Sequence, residues 1–166
     1  MLISDAYRDE QKALHARGNY GTASLGYGGI VTKLCNQIGA DTLLDYGCGS
    51  MQNLKKVLGV PVEYAGYDPA VPAFSAAPAP ADLVVCIDVL EHIEPECLEA
   101  VLSDLRRCTE AFAFVTVHTG PAVKVLSDGR NAHLIQQPLE WWFPKFHEFT
   151  IQSIQRTPDG FFAVLT

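Results

Sequence analysis

The sequence predicts an α/β fold: a doubly wound, mostly parallel sheet that ends in a C-terminal antiparallel hairpin. Three observations carry this expectation. Strand-like runs "TLLDYG", "VEYAGYD", "DLVVCID" and "AFAFVTV" alternate with helical patterns or loops. Those runs are largely apolar rather than alternating, as in strands buried on both faces of a parallel sheet. The last two runs, "FTIQSIQRT" and "GFFAVLT", are separated by the turn residues "PDG", which pairs them as a hairpin. With 166 residues and 48% hydrophobic content, the chain suits one domain over 1–166 and needs no staples to hold a core.

Taken in order, residues 1–39 read as N-terminal helices with a lid, and 40–166 as the core. The first helix covers 4–16 and ends at Gly18. The second ends at Gly39 and places Ile30, Leu34 and Ile38 at four-residue spacing on one face. Between them, "GNYGTASLGYGG" carries Tyr20 and Tyr27 on a glycine-rich segment able to close over a ligand. After the first strand, "MQNLKKVL" reads as a short helix. In "DPAVPAFSAAPAPAD", Pro69, Pro72, Pro78 and Pro80 forbid a long helix or a central strand. A further helix has Leu98, Val101, Leu102 and Leu105 as its apolar stripe and Pro95 in its first turn. A short helix over 139–146 precedes the hairpin.

A net charge of −7 argues against nonspecific nucleic-acid binding, leaving only a local basic patch near Lys124, Arg130 and Lys145. The five cysteines are odd in number and form no C-x-x-C pair. A disulfide framework, a zinc site or another metal is therefore not expected, and a reducing cytoplasm is. The first residues, "MLISDAYRDEQK", carry charge where a signal peptide would be apolar, and no apolar run approaches membrane-spanning length.

Ligands of open parallel sheets bind beyond the carboxyl ends of the strands. There the sequence places 45–50, Asp68, 88–92 and 118–121. Gly47 and Gly49 allow a tight turn and close approach of backbone to ligand, with a helix expected from Ser50 onward and its free amides facing the turn. A dinucleotide fingerprint would want a third glycine, but Met51 and Gln52 follow instead. Asp45 would repel a pyrophosphate and attract a cationic amine. Asp68, 19 residues after Gly49, is placed to accept both hydroxyls of a ribose.

"LLDYGCGS", "YAGYD" and "ADLVVCIDVLEHIEP" together resemble the first, second and fourth motifs of class I (Rossmann-like) S-adenosylmethionine-dependent methyltransferases, of the small bacterial and phage type. The resemblance implies a seven-stranded-type sheet with S-adenosyl-L-methionine over the strand ends and S-adenosyl-L-homocysteine as product. It implies that Asp45, Gly47, Cys48 and Gly49 hold the methionine part, Asp68 the ribose, and Asp88, Val89 and His92 the neighbouring wall. Only 13 residues separate Asp68 from Asp82, so one strand of the usual seven should be missing. The acid that contacts adenine in the family comes from that region and is not replaced by Asp82 as a matter of course. Pro69, Ala70 or Phe74 would supply apolar contacts instead.

For the acceptor, "SDGRNAHLIQQPLEWW" is polar, basic and aromatic at once. Arg130 and Asn131 would face the cleft, Trp141 and Trp142 would wall it, and Tyr20 would close on it. The N-x-H and E-W-W spacing resembles that of some small methyltransferases of this class. Methyl transfer from a sulfonium is an in-line displacement governed by proximity. A hydroxyl or amine acceptor also needs a base, for which His133 and His118 are the candidates. The expected activity is O- or N-methylation of a small molecule: a sugar, nucleotide or other metabolite. The alternatives are a donor-binding module and an enzyme that cleaves the donor without transfer.

Overall fold

The computed structural model describes residues 1–16 and 21–166; Tyr20 and Gly18 lie outside them. Six strands, β1 (Thr42–Tyr46), β2 (Glu63–Tyr67), β3 (Ala81–Ile87), β4 (Thr109–His118), β5 (Ile151–Arg156) and β6 (Gly160–Leu165), build one sheet. Their order is β2-β1-β3-β4-β6-β5. The first four run parallel, and β6 lies antiparallel between β4 and β5. The expected hairpin is therefore present, and so is the expected count of one strand fewer than seven. From β2 to β3 the prolines allow only a single 3-10 turn, Pro72–Phe74, which leaves β2 at the sheet edge.

Successive residues of a strand face opposite sides, and both sides of this sheet are covered. Leu43, Leu83, Val85 and Phe114 pack with Val31 and Cys35 of α2 (Gly28–Ile38) and with Leu54. Leu44, Val84, Cys86 and Val115 pack beneath α3 (Leu98–Cys108), joined by Trp142 and Phe146. Trp142 belongs to α4 (Leu139–Trp142), which runs on into the 3-10 turn Phe143–Phe146. The stripe expected of α3 is buried as a whole, while Pro95 precedes the helix in its own 3-10 turn, Pro95–Cys97.

Two expectations hold only in part, for physical reasons. The fully buried line of α2 runs Gly28, Val31, Cys35; of the expected face, Leu34 and Ile38 pack partly buried against the core, and Ile30 is exposed. Gly28 presses on Val57, where a Cβ would come within 2.6 Å of a methyl group, so close approach at that glycine sets the rotation of the helix. The run "MQNLKKVL" forms only the 3-10 turn Leu54–Lys56. So short a segment does not sustain a helix without packing, and Leu54 is its one residue wholly within a core.

The helix α1 (Asp5–Ala16) starts where the Ser4 hydroxyl accepts the Tyr7 N–H at 3.1 Å, with Asp5 in the first turn. Its buried residues Tyr7 and Leu14 join Ile3, Leu126 and Ala132 in a third apolar cluster. Glu94 accepts both the backbone N–H (2.8 Å) and the hydroxyl (2.6 Å) of Ser4. These contacts lay α1 across the carboxyl ends of the parallel strands.

Candidate active site

The order of strands reverses at β1, which has β2 on one side and β3 on the other. That reversal opens a crevice at the carboxyl ends, and a cavity of about 400 Å³ fills it under α1. On its β1–β2 side, the N–H groups of Gly47 and Cys48 both donate to the Tyr67 carbonyl, at 2.7 and 3.0 Å. Gly47 has φ +86°, and a Cβ there would lie 2.4 Å from a Val89 methyl, so no other residue fits the turn. Asp68 accepts the Gly49 N–H at 3.1 Å and the Ala70 N–H at 2.9 Å. His15 Nε2 stands 3.6 Å from the same carboxylate. Asp45 is buried and accepts the Tyr64 hydroxyl at 2.6 Å. Burial pushes its carboxyl up to about 6, against the pull of that hydrogen bond.

The β3–β4 side is built from side chains. Asp88 is held at φ +51°, with its N–H on Thr116 and its carboxylate accepting the Thr116 hydroxyl at 2.5 Å. Three imidazoles cluster beside it: His92 meets His133 edge to face with centroids 4.7 Å apart, and His133 lies tilted against His118 at 4.9 Å. His92 Nδ1 lies 2.7 Å from the Ala132 carbonyl, and His133 Nδ1 lies 2.7 Å from the Gly120 carbonyl. Burial lowers both pKa values, that of His92 to about 4, and the adjacent His133 adds to the fall. Both rings are therefore neutral at pH 7. Glu91, fully buried beneath them, accepts the His118 N–H at 3.0 Å, and burial raises its carboxyl well above the usual range, with Asp88 adding to the rise.

The methyltransferase domain family matches residues 14–157, most of the chain and all of the cavity wall except Leu2, Ile3, Tyr7 and Gln11. The chain belongs to that family. Among solved structures, it resembles the 1,6-didemethyltoxoflavin-N1-methyltransferase of Burkholderia thailandensis, solved with 1,6-didemethyltoxoflavin and S-adenosylhomocysteine bound. The two are 15% identical with a TM-score of 0.67, over 96% of this chain and 85% of that one. DhpI in complex with S-adenosylhomocysteine is 13% identical with a TM-score of 0.65, over 99% and 98%. Magnesium protoporphyrin IX methyltransferase from Synechocystis, with S-adenosylhomocysteine bound, is 14% identical with a TM-score of 0.57, over 85% and 80%. At such identities the likeness is one of fold. No curated protein sequence matches the chain.

In this methyltransferase the cavity wall brings together Asp45, Gly47, Cys48, Gly49, Asp68, Pro69, Asp88, Val89, His92, His118 and His133. Other expected site residues stand elsewhere. Trp142 is wholly buried in the core, with its indole N–H on the Gln137 carbonyl at 3.1 Å, because so large an apolar ring fills the space under α3. Trp141 packs edge-on against it and carries Lys145 over its face at 5.1 Å, outside the cavity. Arg130 pairs with Asp128 at 2.7 Å on the surface. Asn131 turns inward to staple its own loop: its oxygen accepts the N–H groups of Ala122 and His133, and its amide donates to the Ala122 carbonyl. Tyr27 packs on Phe114 at 5.9 Å instead of reaching over the cavity. The methyltransferase turn also differs from expectation. Gln52, where the third glycine would stand, is held at φ +44° in a backbone region favouring glycine, and no α-helix follows with free amides.

Sequence reading missed Tyr7, Gln11 and His15, which bring α1 into the cavity wall. Their signal was available: they recur every four residues, so polar groups share the buried face of an amphipathic helix. Asp82 sits at the opposite end of the sheet, where it accepts the N–H groups of Asp41 and Thr42 and the Thr42 hydroxyl. The basic patch is largely spent as well, with Arg130 on Asp128 and Lys145 on Glu99. All five cysteines are free and buried. No described helix is long and apolar enough to cross a membrane.

Proposed function

We propose that this methyltransferase moves the methyl group of S-adenosyl-L-methionine to a hydroxyl or amine of a small molecule. One observation carries the reading: two buried acids, Asp45 and Asp68, flank the Gly47–Gly49 turn in the same cavity as a cluster of three histidines. The donor's ammonium suits Asp45, whose ionisation it would promote, and its ribose hydroxyls suit Asp68. Pro69 and Ala70 offer apolar contact to the adenine. The sulfonium methyl would then point toward the β3–β4 side. There a neutral imidazole can take the acceptor's proton as the methyl leaves sulfur, so that the amine or oxygen product and S-adenosyl-L-homocysteine both form uncharged at the reacting atoms. His133 and His118 fill that role by position. The cavity size suits a donor with a compact acceptor and not a polymer, and the net charge of −7 disfavours nucleic acid.

Calorimetric titration with S-adenosyl-L-methionine, S-adenosyl-L-homocysteine and NAD tests the donor. Binding of the first two and not the third is expected; binding of NAD alone would sink the reading. Homocysteine-derivative release that needs no acceptor would instead favour donor cleavage.

A further inference from the structure

Methyl transfer gives Glu91 no role, yet the residue is wholly buried behind the cavity wall, next to His92 and His133. Its Oε1 accepts the His118 N–H, whereas Oε2 is buried without a hydrogen bond among the described residues. A buried polar atom left in that state costs free energy and calls for a partner. One potential ligand atom each from Glu91, His92 and His133 lies within 4.8 Å of the other two.

The orientation of both rings adds a second, independent observation. Nδ1 of His92 faces the Ala132 carbonyl and Nδ1 of His133 faces the Gly120 carbonyl, each at 2.7 Å. A carbonyl only accepts, so each Nδ1 carries the proton and each lone pair resides on Nε2. An imidazole that gives its Nδ1 proton to a backbone carbonyl is oriented as metal-binding histidines are. Asn131 reinforces the arrangement by accepting the His133 N–H at 2.9 Å, which locks the backbone that aims the ring.

We propose that Glu91, His92 and His133 bind one divalent transition-metal ion, through a Glu91 carboxylate oxygen and the two Nε2 atoms. Two imidazoles and one carboxylate suit zinc, cobalt, iron(II) or manganese better than calcium or magnesium, which favour oxygen ligands throughout. Around such an ion the three atoms would stand about 3–4 Å apart, given bond lengths of about 2.0–2.2 Å. A closing movement of about 1 Å suffices. Three protein ligands leave positions open toward the cavity, where an acceptor oxygen or nitrogen can bind and lose its proton more readily. His133 is then a ligand, and His118 is the remaining base. This use of the ion rests on the methyl-transfer reading; its binding does not.

The test is a titration of the full chain with Co²⁺, without S-adenosyl-L-methionine, followed by visible absorption. One Co²⁺ per chain is expected, with ligand-field bands. Glu91→Gln and His133→Ala should each weaken binding by about 100-fold or more, beyond the 10–100-fold typical of losing a partner behind a ligand. The exposed His147→Ala control should bind as the parent does. Thermal melts establish that the variants are folded, and His133→Ala, at the cavity edge, carries the test if Glu91→Gln does not fold. No bound Co²⁺ in the parent, unchanged binding in a folded variant, or near-ultraviolet thiolate bands that place the ion on a cysteine would each overturn the proposal. Because no donor is present, failure here is separate from failure of the donor titration.

Discussion

The two halves of the cavity are built in opposite ways. The β1–β2 half comes from two strand ends, and its polar contacts are backbone N–H groups held by Asp68 and by the Tyr67 carbonyl. The β3–β4 half brings Asp88 and His92 together with His118 and His133, with Glu91 buried behind them. Its contacts run through side chains: Asp88 on the Thr116 hydroxyl, imidazole beside imidazole, and the Glu91 carboxylate accepting the His118 N–H. The first half holds a shape that short local sequence can specify. The second depends on where a loop after β4 settles, and its chemistry resides in clustered imidazoles. Donor recognition and acceptor chemistry should therefore separate under mutation.

His133→Ala should show the largest effect. Loss of the proposed base, or of the proposed ion ligand, is expected to lower kcat by about 10²–10⁴-fold, with donor affinity unchanged by calorimetry. A matching loss of donor affinity would break the division between the halves. Next, Asp68→Ala removes the acceptor of two turn amides and, on the proposed function, of the ribose hydroxyls. Donor Kd should rise by about 100-fold, as expected for charge-assisted hydrogen bonds worth about 1.5–3 kcal/mol each, while Co²⁺ binding persists.

Trp142→Ala tests a residue that composition alone would place in the acceptor wall. Its burial predicts a loss of about 3–5 kcal/mol in urea unfolding, with kcat/KM of the surviving folded fraction little altered. A change in acceptor specificity at full stability would return it to the cleft.

Asp45 provides a subtler test. In the folded protein it takes up its proton at about 6, and in the unfolded chain near 3.9. Between those values the folded state holds more protons, so stability falls as pH rises through the window. The cost, about 2–3 kcal/mol, is complete above pH 6. Asp45→Asn should match the parent's stability near pH 4 and exceed it by about 2 kcal/mol at pH 8, yet bind the donor about tenfold more weakly. Equal stability at both pH values would show that Asp45 is not strained by burial. The smallest effect is expected of Arg130→Ala, whose exposed ion pair with Asp128 is screened by solvent, so that urea unfolding and turnover should both match the parent.

The sequence by itself determined the strands, their parallel pairing, the terminal hairpin and the missing strand. Apolar runs, prolines and the "PDG" turn act locally, and each carries its conformation within a few residues. It also determined the acid–glycine turn and Asp68, because a strand end and the residues just beyond it must lie on the same edge of the sheet. Only the tertiary structure decided the rotation of α2, which a contact between Gly28 and Val57 controls. The same holds for the placing of Tyr7, Gln11 and His15 over the cavity, and for the fate of the loop after β4. In that loop, Asn131 and His133 stand two residues apart, but one staples backbone and the other faces the cavity. Local spacing does not distinguish them. The distinction comes from hydrogen bonds to Ala122 and Gly120, whose carbonyls are brought there by the end of β4, and such long-range pairing is fixed only when the sheet and its covering loop close together.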